Sequence, residues 1–85
     1  MHNWKTSEYL KEIMNKLSKK DKSFYEQLLK KIEEIINYSD IEHYKNLRYD
    51  MKDCKRVHIG HFVLVFKYDK LNDFVFFRQF FHNLL

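Results

Sequence analysis

Eighty-five residues, 45% hydrophobic and 18% aromatic, make one small domain over 1–85, too short for two domains and too rich in core formers for global disorder. No apolar run approaches the roughly 20 residues of a bilayer span, and MHNWKTSEYLKE lacks a signal-peptide core. A soluble, cytoplasmic protein with no membrane partner is expected, and the lone Cys54 fits a reducing compartment. The net charge of +4 is confined to residues 45–67, where Lys45, Arg48, Lys52, Lys55, Arg56 and Lys67 face only Asp50 and Asp53. That segment is the expected contact surface for a polyanion or an acidic protein.

In chain order, residues 1–5 form at most a short edge strand around Trp4. Thr6 or Ser7 then caps a helix over 7–17, whose apolar stripe is Tyr9, Leu10, Ile13, Met14 and Leu17. Ser18 and Asp21 read as a capping box opening a second helix over 19–37, with stripe Phe24, Tyr25, Leu28, Leu29, Ile32, Ile35 and Ile36. So short a connection predicts an antiparallel helical hairpin. Residues 41–53 show neither period and read as a loop that turns basic toward its end.

Lys55 to Tyr68, KRVHIGHFVLVFKY, is a predicted β-hairpin turning at Gly60-His61 on the chain's sole glycine. That turn pairs Ile59 with Phe62, His58 with Val63, Val57 with Leu64 and Arg56 with Val65. Alternation assigns Val57, Ile59, Phe62, Leu64 and Phe66 to a core face, against Leu28, Ile32 and Ile35 of the second helix. Arg56, His58, Val63, Val65 and Lys67 go to the other face, where the two valines are expected to leave apolar surface open. A last strand, 74–81, follows. The fold class is α+β in two layers, an antiparallel helical hairpin on one face of an antiparallel sheet, in the order (β)ααβββ.

On the open face a guanidinium beside an imidazole makes a phosphate-binding surface with a group that moves protons near neutrality. His61 falls in the turn and His43 in the loop, without an assigned role. His82 ends the last strand, where it could reach the open face, although its register is not fixed by sequence. HExxH, a glycine-rich loop with a Walker lysine, and Ser/His/Asp groupings do not occur, so no metal or other cofactor is called for.

The helical hairpin SEYLKEIMNKLSKKDKSFYEQLLKKIEEII, the segment KNLRYDMKDCKRVHIGHFVLVF and the closing aromatic strand together resemble the RelE/ParE superfamily of type II toxin-antitoxin systems. The resemblance spans nearly the whole chain and is carried by Leu47, Arg48, Met51, Lys55, Arg56, Val57, His58, Ile59, Gly60 and Phe62. It implies a RelE-like mRNA interferase, a ribosome-dependent endoribonuclease that inhibits translation by metal-free attack of the ribose 2′-OH and is neutralised by a cognate antitoxin. Arg56 and His58 match the family's two basic positions on the first hairpin strand, and His82 matches a basic position near the C-terminus. Val63 and Asn83 stand where the best-known members have arginine, and the chain ends at Leu85, ahead of the segment that supplies a tyrosine.

The resemblance thus implies Arg56 as phosphate anchor, His58 as general base or acid and His82 as its partner. Lys45, Arg48, Lys52, Lys55 and Lys67 would contact RNA or the ribosome. The alternative is a catalytically degenerate or gyrase-directed ParE-like relative acting as a binding module. A third reading, outside the family, is an RNA-binding domain that exposes Phe76, Arg78 and Phe80 together on its sheet.

Overall fold

The computed structural model describes residues 1–46 and 53–82. Its elements are β1 (Asn3–Thr6), α1 (Glu8–Lys20), α2 (Lys22–Asn37), a 3-10 turn (Ile41–His43), β2 (Lys55–Ile59), β3 (Phe62–Asp69) and β4 (Phe74–His82). This is the expected α+β order, βααβββ, with the helices on one face of the sheet. The sheet runs β1-β4-β3-β2, and it is mixed rather than wholly antiparallel because β1 pairs parallel to β4.

Ser7 starts α1: its Oγ accepts from the Leu10 amide at 3.0 Å, satisfying a donor the helix cannot pair internally. Asp21 caps α2 by accepting from the Phe24 amide at 3.1 Å. Ser18 is not part of that cap, as the capping-box reading had it. It lies in the last turn of α1 and donates to the Asn15 carbonyl. Leu28, Ile32, Ile35 and Ile36 form the buried stripe of α2, and Leu10 anchors α1. Each such side chain contributes roughly 1.5–3 kcal/mol on full burial. Tyr9 and Leu29, counted in the stripes, stay exposed at their margins.

The β2–β3 register is the one the turn predicts, from Ile59–Phe62 through Arg56–Val65. Gly60 has φ +60° as the first central residue of the turn, the signature of a type II′ hairpin. Leu64 and Phe66 are buried with Leu28, Ile32 and Ile35, and Val57 packs against that cluster.

The opposite face departs from expectation. Val63 and Val65 are not open: they are buried with Cys54 in a second, smaller cluster. Strand β4 departs further. Val65 pairs with Gln79 and Phe66 with Phe77, so Arg78 is an extra residue, a β-bulge. Unbroken alternation from Phe77 would turn Phe80 and His82 outward. The bulge shifts the alternation by one residue, which sends Phe80 and His82 to the helix side and Phe81 to the other. Phe80, 3% exposed, is accordingly core, stacked on Phe62 and touching Phe24. The joint exposure of Phe76, Arg78 and Phe80 that the third reading needs is therefore absent. The carbonyl of the bulged residue is satisfied by the Ser7 hydroxyl, which donates to it at 2.6 Å, so the cap of α1 also secures the bulge.

Candidate functional site

Strand β2 is an edge of the sheet, and the segment after α2 returns to lie along its outer side. The Arg56 amide donates to the Lys45 carbonyl at 2.9 Å, and Asn46 bridges to Lys55. Lys55 shares the parity of Val57 and Ile59, so its side chain goes to the helix side and is only 6% exposed. Its ammonium donates to the Tyr44 carbonyl at 3.1 Å, to Asn46 Oδ1 at 3.0 Å and to the Glu42 carbonyl at 3.4 Å. Lys55, expected among the RNA contacts, is thus occupied in fastening this segment to β2.

Between segment and strand lies an open groove of about 430 Å³, with His43, Tyr44 and Lys45 on one wall and Arg56, Val57 and His58 on the other. Arg56 Nη1 stands 2.9 Å from His58 Nε2. A guanidinium only donates, so in this contact Nε2 is the acceptor and carries a lone pair. An exposed imidazole is thereby held against a fixed cation. Burial keeps the Tyr44 phenol above its usual range, with Glu34 and Tyr38 adding to the effect.

The rest of the open face follows from register. Lys67 lies there, paired with Asp53 at 3.3 Å, and this hydrogen bond holds the Asp53 carboxyl below its usual range. Arg78 reaches the same side, its Nη1 3.7 Å from Cys54 Sγ. Val63, in the row of His58, is 4% exposed and brings no cation.

His82 does not join His58. It pairs with Phe62, which pairs with Ile59, so it stands on the helix-bearing face, with its ring edge-on to Phe62 at 5.2 Å and beside His61 at 6.3 Å. Of the sequence-predicted site residues, Arg56, His58 and Lys45 come together at the groove, while Lys67 lies further along the open face. Arg48, Lys52 and Asn83 lie outside the described residues, as do Leu47 and Met51 of the family pattern. His43 and Tyr44 were missed because only the return of their segment to β2, a contact across more than ten residues, brings them to the site.

No family model matches the chain. A Methanocaldococcus jannaschii protein named "Putative toxin RelE4" is 49% identical over 75 residues, which are 87% of this chain and 78% of that protein. The chain belongs to the RelE toxin family. An uncharacterised Methanosarcina mazei protein is 48% identical over 56 residues, 65% of this chain and 63% of that protein. The isolated E. coli RelE toxin superposes with a TM-score of 0.74 at 28% identity, over 96% of this chain and 84% of RelE. The E. coli RelBE toxin-antitoxin complex matches with a TM-score of 0.70 at 26% identity, over 94% of each chain. A Mycobacterium tuberculosis RelBE2 complex, TM-score 0.64 at 14% identity, shares the fold. In this chain the helical hairpin backs one face of the sheet, and Arg56 and His58 stand on the other. No helix among the described residues is long and apolar enough to cross a membrane.

Proposed function

We propose that this RelE-family chain cuts mRNA on the ribosome, in the cytoplasm, by metal-free acid/base chemistry, and that a cognate antitoxin neutralises it. The observation that carries the reading is the Arg56–His58 contact on the exposed edge strand, an acceptor nitrogen held 2.9 Å from a permanent cation. A phosphodiester entering the groove takes the Arg56 guanidinium by charge-assisted hydrogen bonds and frees His58 Nε2 to receive the proton of the adjacent ribose 2′-OH. The 2′-oxygen then forms a bond to phosphorus as the P–O5′ bond breaks, giving a 2′,3′-cyclic phosphate and a 5′-hydroxyl. Arg56 offsets the charge that grows on the phosphoryl oxygens. The leaving O5′ takes its proton from a second group. His82 faces away from His58, so in this reading that role falls to His43 on the opposite wall of the groove. An antitoxin partner is supported by the E. coli neighbour, which is a toxin-antitoxin complex.

The second reading, a catalytically silent or gyrase-directed binding module, draws its support from residue type at Val63, which gives the open face no cation at that position. Programmed ribosomes incubated with pure protein and read by primer extension separate the two. Cleavage in EDTA that falls about 10²- to 10⁴-fold in His58→Ala, and in part survives in His58→Lys, supports the nuclease. Intact message from wild type, or equal cutting by wild type and His58→Ala, leaves the binding module.

A further inference from the structure

We propose that Phe81 is a base-stacking residue, holding a nucleobase of a single-stranded RNA whose phosphate sits at Arg56 and His58. The inference rests on the RNA-cleaving reading for the strand's chemistry, but its structural basis is independent of catalysis. His58 pairs with Val63 and Val63 with Phe81, one row running straight across β2, β3 and β4. Paired strands lie about 4.8 Å apart, so Phe81 stands about 10 Å from His58 on the same face, close to the reach from a phosphate to a neighbouring base. The β4 bulge is what turns Phe81 to this face.

Phe81 is 42% exposed, and among the described residues it is the sole phenylalanine counted with the exposed large apolar side chains. A ring so exposed inside a strand loses free energy to water unless something covers it. The surroundings choose the cover. Val63 and Val65 on this face are buried, so among the described residues the apolar surface here is little more than one ring, far below the roughly 800 Å² a stable protein partner covers per side. Among the described residues of this face, His58 shares the row of Phe81 and Gln79 lies one pair along, with Arg56 in the row of Gln79, Arg78 at the bulge and Lys67, which holds the Asp53 carboxylate, further along. An isolated aromatic face among cations suits a nucleobase with its phosphates, because every base offers a π-face and aromatic rings take them without sequence preference.

The test measures binding of a short single-stranded oligoribonucleotide, intact or carrying one abasic position, in a His58→Ala background so that binding is read apart from cleavage. Phe81→Ala is expected to weaken the intact RNA roughly 5- to 100-fold while barely changing the best abasic one, and Phe81→Tyr to retain most of the affinity. On programmed ribosomes Phe81→Ala should raise KM with kcat nearly constant. The proposal is overturned by equal RNA affinity with and without the Phe81→Ala substitution, by equal weakening toward intact and abasic RNA, or by no measurable binding in either protein. It is also overturned if Phe81→Ala loosens only a co-expressed antitoxin, which would make the ring part of a protein interface. Failure of wild type to cleave message, with the Phe81-dependent base preference intact, would count against the nuclease reading and leave the stacking site standing.

Discussion

Lys55 and Arg56 are chain neighbours with opposite roles, because a strand turns successive side chains to opposite faces. Arg56 keeps its guanidinium at the groove, while Lys55 has its ammonium on three oxygens of the segment that forms the other wall. Lys55→Met leaves those acceptors without a donor in a nearly dry place. It should cost about 1–3 kcal/mol in urea unfolding and weaken RNA binding by loosening the groove wall. His2 does for β1 what Lys55 does for β2. Its Nδ1 meets the Asp73 carboxylate and its Nε2 lies 2.7 Å from the Tyr38 carbonyl, and acceptors on both sides require both nitrogens to be protonated. The hydrogen bond to Asp73 raises the His2 pKa, and the same bond, with that from Tyr68, lowers that of Asp73. Stability from the raised histidine is complete below its ordinary 6.5 and is lost as pH rises through the folded value. Stability from the lowered carboxyl is complete above its ordinary 3.8 and is lost as pH falls through the folded value. The pair therefore contributes fully between those two ordinary values. The Tm difference between wild type and Asp73→Asn should be largest near pH 5–6 and shrink toward pH 8.5, whereas a difference that keeps growing into alkaline pH would contradict the pairing.

At the scale of elements, the bulge in β4 decides which of two adjacent phenylalanines is core. Phe80 lies between Phe24 and Phe62, so Phe80→Ala should cost about 3–5 kcal/mol. Phe81→Ala should cost less than about 1 kcal/mol, the size of a strand propensity difference on an exposed face. Unfolding curves of the two variants with equal m-values test this, and a reversed order would mean that β4 runs without its bulge. Ser7 couples the bulge to α1 through one hydroxyl that accepts from the helix and donates to the Arg78 carbonyl. Ser7→Ala is therefore expected to exceed an ordinary cap loss of about 1 kcal/mol.

For the molecule as a whole, the charge excess in residues 45–67 sets how it meets a polyanion. Binding to RNA should weaken steeply with salt, by about 0.7 in the log-log slope for each phosphate contact to a single strand. Neutralising Lys45, Arg48 and Lys52 together should flatten that slope by roughly 2. An unchanged slope would remove the segment from the interface. Lys55 is left out of this sum, since its buried ammonium is bound to the Tyr44 carbonyl and Asn46 with the Glu42 carboxylate 3.9 Å away.

Local periodicity determined a good deal unaided. The helix stripes, the hairpin register and the face that carries Arg56 and His58 are properties of 3.6- and 2-residue repeats and of one glycine placed where φ must be positive. They were legible because each depends on residues close in sequence. The parallel pairing of β1 with β4, the bulge at Arg78, the return of His43–Lys45 to the edge of β2 and the capture of the Lys55 ammonium by that segment were not. Each is settled by contacts between residues distant in sequence, where satisfying a carbonyl or filling the core outweighs the local pattern. Those long-range contacts arranged the candidate site, separating His82 from His58 and setting His43 on one side of the groove and Phe81 on the open face.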